Sequence, residues 1–263
     1  MQPEIDIGPL TLQTFGLCFA AAFAASGAVV WRRLREWGKP GDWAYEMVFA
    51  ALVGGIVGSR LNFIIENWDE VSDDLLGNIF TGSGLVWYGG LIGGAIGVAI
   101  WARYRGLLDL RLLDLAAVPL ALGYAIGRIG CQLSGDGDYG QPWDGPWAMA
   151  YPEGTVATDV PVHPTPIYET LSMGLVAYAL WRLRDRFRTG ILFALYLVLA
   201  GAERFLVEFI RRNDEVLAGL TQAQLLSLAM IAGGGLWIAR FARRGELLRE
   251  PPQEAAERAT ASR

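Results

Sequence analysis

Stretches of about 20 apolar residues recur along this chain, and a helix of that length spans the hydrocarbon core of a bilayer. In lipid every backbone N–H and C=O must be satisfied within the protein, so such stretches are confined to helices that pair their own groups. The runs fall at roughly 10–31, 43–65, 84–104, 112–132, 165–183, 189–210 and 220–240. The expected fold is an all-α integral membrane protein with about seven transmembrane helices. A 53% hydrophobic composition and a mean hydropathy of +0.31 exclude an ordinary soluble domain. The net charge of −5 argues against a nucleic-acid partner. Cys18 and Cys131 give neither a disulfide framework nor metal-ligand spacing, so no metal is expected.

Loop charge sets the expected orientation, because cytoplasmic loops carry the excess of Lys and Arg. Arg32, Arg33, Arg35 and Lys39 follow the first run, and Arg103, Arg105 and Arg111 follow the third. Arg182, Arg184, Arg186 and Arg188 follow the fifth, and Arg240, Arg243 and Arg244 end the seventh. The alternate loops are acidic, with Asp69, Glu70, Asp73 and Asp74, then Asp136, Asp138, Asp144, Glu153 and Asp159. The N-terminus is thus expected outside and the C-terminus in the cytoplasm. Arg211 and Arg212 break the rule by falling on the outer side. The acidic start Met1–Asp6 lacks the basic segment of a signal peptide, so the first run is read as a retained span.

One polytopic membrane domain is expected over 1–244, with an outer-face loop at about 133–164. The charged tail, 245–263, lacks the apolar content to fold alone and is expected to be a disordered cytoplasmic extension. No repeat relates the two halves, which weighs against a transporter built from internal repeats.

The ionisable residues at the run ends need a reason to be there. A charge at membrane depth costs roughly 2.5–3.5 kcal/mol even on insertion scales. Arg128 ends the fourth run, Glu169 begins the fifth, Arg204 and Glu208 lie late in the sixth near Arg211, and Arg60 lies late in the second. Arg204 and Glu208 are four apart and share a helix face, so an intrahelical ion pair accounts for them taken alone. As a set these charges meet at one leaflet, which points to an anion pocket. His163 sits in His163-Pro164-Thr165-Pro166-Ile167-Tyr168-Glu169, where two prolines hold the backbone extended. This segment reads either as a rigid start to the fifth span, capped by Thr165 with Pro166 at its first position, or as a proton carrier. Tyr88 precedes a glycine run and offers a hydroxyl.

Four segments together resemble the prolipoprotein diacylglyceryl transferase family. They are Tyr88-Gly89-Gly90-Leu91-Ile92-Gly93, the stretch Gly127-Arg128-Ile129-Gly130 through Gly140, His163 to Glu169, and Arg204-Phe205-Leu206-Val207-Glu208-Phe209-Ile210-Arg211. The segment Gly219-Leu220-Thr221-Gln222-Ala223-Gln224 is similar too. The resemblance implies a multi-pass enzyme of the bacterial inner membrane that performs the first step of lipoprotein maturation. It would transfer the diacylglyceryl group of phosphatidylglycerol to the lipobox cysteine of a prolipoprotein, releasing glycerol phosphate and using no cofactor. It also implies that Arg128 binds phosphate, that Arg204 is the second essential arginine and that Glu208 is its acidic partner. Many relatives carry histidine where this chain has Tyr88, asparagine where it has Cys131 and tyrosine where it has Phe15. The alternatives are a non-catalytic lipid-binding or transport protein, or an inactive paralogue.

The chemistry fits the residues. A thiolate attacking a glycerol carbon expels a phosphate ester, and guanidinium groups grip phosphate in a bidentate manner while staying charged. Arg128 and Arg204 are the candidates for that role. Tyr88 is a candidate hydrogen-bond donor to the lipid head, and His163, Glu208 and Asp136 are candidate bases. Asp136, Gly140, Glu169, Arg211 and Arg60 complete the expected lipid-binding set.

Overall fold

The computed structural model describes residues 2–8, 10–71 and 87–248. Asp73 and Asp74, the start of the third expected run and the tail beyond Leu248 lie outside the described residues. The described helices are α1 (Thr14–Glu36), α2 (Trp43–Glu66), α3 (Trp68–Val71), α4 (Trp87–Arg105), α5 (Leu110–Ser134), α6 (Thr165–Leu183), α7 (Ile191–Glu208) and α8 (Gln222–Ala242). Three antiparallel hairpins join them: β1 (Glu4–Ile7) with β2 (Leu10–Gln13), β3 (Met149–Tyr151) with β4 (Thr158–Val162), and β5 (Glu215–Leu217) with β6 (Leu220–Thr221).

The fold is mostly helical, and α1, α2, α5 and α8 are long and apolar enough to cross a membrane. The remaining long helices fall short of that standard for visible reasons. Glu203, Arg204 and Glu208 lie in α7, five glycines dilute α4, and α6 carries Thr165, Glu169, Thr170 and Ser172 in its first turns. The first run differs from expectation at both ends. Leu10 and Leu12 alternate with Thr11 and Gln13, a strand period, and pair with β1. Past residue 31 the helix continues to Glu36, where Arg33 Nη1 meets the Glu36 carboxylate at 2.8 Å.

The chain divides into two compact units, Gly27–Leu112 and Met1–Ser26 with Leu113–Arg263. In the first, α2 and α4 pack along a glycine seam. A Cβ at Gly93 would strike the carbonyl oxygen of Gly54 and approach Gly58 Cα to 2.7 Å, and one at Gly58 would strike Gly89 O. Glycine is therefore required for backbone contact here, as expected for helix pairs in lipid. Trp101 Nε1 donates to Glu46 at 2.9 Å and Arg105 Nε to the same carboxylate oxygen at 2.7 Å, fixing the far end of the pair. Arg60, on α2, is buried with its guanidinium over the Phe63 ring, and Tyr88, in the first turn of α4, is exposed.

In the second unit α7 and α8 make a similar close crossing. A Cβ at Gly201 would meet Ser227 O at 2.9 Å, and one at Gly234 would meet Ala194 O at 2.6 Å. The N-terminus of α7 has no cap of its own, because Gly190 stands there at φ 93°. Asp114 of α5 caps it instead, accepting from Gly190 N at 2.7 Å and Phe193 N at 3.0 Å. Two-residue turn chemistry serves β5–β6, where Ala218 and Gly219 both have positive φ, the primed geometry that closes a tight hairpin. That hairpin delivers Thr221 to the start of α8. There Thr221 and Gln224 form a reciprocal capping box.

The α2–α4 seam separates two outwardly similar substitutions. Gly93→Ala forces a methyl group into backbone and should lower stability by about 1–3 kcal/mol. At Gly55 the nearest atom to a Cβ is Gly90 O at 3.5 Å, an ordinary contact, so Gly55→Ala should be nearly neutral. Thermal unfolding of the two variants in detergent measures the difference.

Candidate functional site

The second unit gathers three arginines and three carboxylates from four chain segments. Glu169, on α6, is fully buried and sits between the guanidinium groups. Arg128 Nε lies 3.1 Å from its Oε2, Arg204 Nη1 3.1 Å from its Oε1 and Arg211 Nη1 3.5 Å from its Oε2. Tyr124 Oη donates to Oε1 at 2.9 Å. The sequence counts Glu169 among the charges that gather at an anion pocket, and here it is the common counter-ion of three cations.

Glu208, also buried, is the second acceptor. Arg204 Nη2 pairs with its Oε2 at 2.8 Å, the expected i to i+4 contact, and Arg211 Nε reaches the same atom at 3.9 Å. The other oxygen accepts from the Thr221 hydroxyl and from Asn213 Nδ2, each at 2.7 Å. Asp138 is the third acceptor and bridges Arg128 Nη1 and Arg211 Nη2, one carboxylate oxygen to each. Its side chain is 33% exposed, against 0% for Glu169 and Glu208. Burial pushes the Asp138 carboxyl up, but the Arg128 and Arg211 guanidiniums outweigh it and hold the group down at about 2. Burial likewise opposes the charge on Arg211, and Asp138 and Glu169 more than restore it.

Local structure explains how the loop reaches the arginines. Gly135 and Gly137 adopt φ of 58° and 94°, left-handed values that turn the chain sharply after α5. Asp136 accepts the Asp138 amide at 3.2 Å, and the Asp138 carbonyl accepts the Thr165 hydroxyl at 2.6 Å. The expected capping role of Thr165 is thereby corrected: Pro164 occupies the cap position without a side-chain cap, and the Thr165 hydroxyl is spent on the loop. Gly140 N donates to His163 O at 2.8 Å. A Cβ at Gly140 would meet Ile210 O at 2.5 Å and His163 Cβ at 2.9 Å. Gly140 is the point where the loop, the His163 segment and the end of α7 touch.

The sequence-expected residues divide among these settings. Arg128, Arg204, Arg211, Glu169 and Glu208 form one cluster, and Asp136 and Gly140 build the loop beside it. His163 belongs to an aromatic wall, stacked on Trp143 at 4.3 Å with Nδ1 3.3 Å from the Tyr168 hydroxyl. Arg60 and Tyr88 belong to the other unit. Asp138, Tyr124, Asn213 and Thr221 were not among the expected site residues. A signal existed for Thr221 in the T-x-x-Q capping pattern, and for Asp138 in its place between glycines of the acidic loop.

Cys131 Sγ, Asp136 and Asp138 bring their ligand atoms within 4.8 Å of one another. Both Asp138 oxygens are taken by guanidinium groups, and Arg128 Nη1 also points at Cys131 Sγ at 3.7 Å. A metal cation there would face two fixed positive charges that already neutralise Asp138, so the trio suits a metal poorly. A cluster of guanidinium groups in a site of low exposure is suited to phosphate oxygens.

The family profile described as prolipoprotein diacylglyceryl transferase matches residues 3–240. Several proteins named phosphatidylglycerol–prolipoprotein diacylglyceryl transferase are similar over most of their length. The one from Bordetella avium is 32% identical over 92% of this chain and 97% of its own. Those from Clostridium tetani and Methylococcus capsulatus are 31% and 34% identical, over 89% and 91% of this chain and 95% of each of theirs.

The depressed Asp138 carboxyl gives a test with a definite sign. A group whose folded pKa lies below its ordinary value of 3.8 adds stability above that value and loses it as pH falls toward about 2. Wild-type protein in detergent should lose stability through that window. Asp138→Asn should lose less across it, as read from unfolding midpoints against pH.

Proposed function

Because the chain belongs to the prolipoprotein diacylglyceryl transferase family, we propose that it transfers the diacylglyceryl group of phosphatidylglycerol to the lipobox cysteine thiol of prolipoproteins. The observation that carries this reading is the cluster of Arg128, Arg204 and Arg211 around buried Glu169. The thiolate sulfur forms a thioether bond to the glycerol carbon while that carbon's bond to the phosphate oxygen breaks. The electron pair leaves with glycerol phosphate, and the thiol proton passes to a base.

Charge grows on the phosphate oxygens as that bond breaks, where donors already in place are worth most. Arg128 and Arg204 hold the phosphate in this scheme, and Glu208 keeps Arg204 aimed. The two neutral donors on Glu208 Oε1 support a holding role for this carboxylate over proton abstraction. His163 and Asp136 then remain the candidate bases. Arg211 adds to headgroup binding, and, on the sequence alone, Tyr88 and Arg60 are read as lipid-contacting residues.

The chain is a multi-pass membrane protein, and the finer topology follows from charge. Seven spans with the N-terminus outside place the arginine cluster at the outer leaflet of a bacterial inner membrane. The Arg-rich loops after α1, α4 and α6 support that orientation. An impermeant thiol reagent applied to intact cells should label Asp144→Cys and leave Arg186→Cys unlabelled.

Activity is tested with phosphatidylglycerol vesicles and a lipobox peptide. Wild type should form lipidated peptide, and Arg128→Ala should lose at least about 10²-fold of the rate. Tyr88→Phe should show a partial loss. An inactive wild type sinks the enzyme reading, and full activity in Arg128→Ala sinks the assignment of the phosphate site.

A further inference from the structure

The arginine cluster is electrically closed. Arg128, Arg204 and Arg211 carry three positive charges, and Asp138, Glu169 and Glu208 cancel them with three negative ones. Within the cluster each guanidinium already faces a carboxylate, so an anionic phosphodiester gains a freed pair of cations there only where a carboxylate withdraws. The three carboxylates are unequal in this respect. Glu169 is sealed among three guanidinium groups and Tyr124, and Glu208 is sealed with Thr221 and Asn213. Asp138 alone of the three is partly exposed and rides on a loop rather than a helix. Its two oxygens take Arg128 and Arg211 as the two non-bridging oxygens of a phosphodiester would. Gly135 and Gly137, both at positive φ, shape the turn just before it.

We propose that Asp138 is a resident stand-in for the lipid phosphate, pairing Arg128 with Arg211 until phosphatidylglycerol arrives and then leaving. This rests on the reading of the cluster as the phosphate site, adds Arg211 to Arg128 and Arg204 as a holder of the phosphate, and adds a competitor for it. The competitor keeps two guanidinium groups aimed at one point without lipid. It also weakens lipid binding, because its charge repels the phosphate it must yield to. Asp138 is a positioning residue on this view and takes no part in bond making.

The test compares the full-length wild type with Asp138→Asn, which keeps the shape and removes the charge. With phosphatidylglycerol vesicles and a lipobox peptide, the variant should show a KM for the lipid lower by on the order of tenfold, with kcat changed less. Adding phosphatidylglycerol should also raise the unfolding midpoint of the variant more than that of wild type. An unchanged or higher KM, or equal stabilisation of the two proteins, overturns the proposal. Should the variant fail to fold, hydrogen exchange on wild type decides. The Asp138 amide, bonded to Asp136 Oδ1 at 3.2 Å, should exchange faster once lipid is bound, and slower or unchanged exchange overturns the proposal. A wild type that neither binds nor consumes phosphatidylglycerol overturns the function reading together with it, whereas the results on Asp138 alone leave that reading standing.

Discussion

Glu169 is the interaction on which the site depends. Three guanidinium groups on α5, on α7 and just past α7 repel one another, and burial raises the cost of each charge. One fully buried carboxylate within 3.5 Å of all three makes the arrangement possible. Its position follows from α6, which the Pro164–Pro166 segment starts at a fixed place, so that Glu169 falls on the face turned toward Tyr124 and Arg204. Removing it would leave uncompensated charge in a dry setting, the costly way to break a buried network. The same carboxylate explains how arginines stand ready with their side chains already ordered.

The irregular segments serve this centre more than they decorate it. The β5–β6 turn sets Thr221, whose hydroxyl both caps α8 and donates to Glu208. The loop after α5 turns on two left-handed glycines, brings Asp138 to Arg128 and Arg211, and is held there by Thr165. Gly140 lets three segments meet without a side chain between them. Helices supply the rigid frame, and hairpin and loop supply the carboxylates and hydroxyls that tune it.

Much of this was legible in the sequence. Apolar runs located the long helices because lipid leaves the backbone few choices, and Arg204 with Glu208 revealed their pairing through helical spacing. Arg128, Glu169 and Arg211 stood out because charge near an apolar run needs a cause. What escaped was long-range. Asp138 looked like one more acid in a solvated loop, since nothing local tells that its carboxylate lies against arginines 10 and 73 positions away. Thr165 looked like a cap because capping is a local rule, and a tertiary acceptor, the Asp138 carbonyl, took its hydroxyl instead. The strand at 10–13 falls inside the first run because Leu10 and Leu12 are apolar in either setting.

The departures from the family pattern bear on different parts of the chemistry. Tyr88 stands where many relatives have histidine, which removes an imidazole from the first unit but leaves all three arginines and their carboxylates in the second. Cys131 stands where many have asparagine, and its sulfur still faces Arg128 Nη1 at 3.7 Å. On the proposed reading, phosphate holding and leaving-group stabilisation survive both changes, because they reside in guanidinium groups fixed by Glu169 and Glu208. Proton removal is the function exposed to change. It needs only a base near the incoming thiol, and His163 sits in the aromatic wall beside Gly140, one backbone hydrogen bond from the loop that carries the anion site. A chain that alters its base while preserving its arginines is what a mechanism dominated by charge stabilisation would permit.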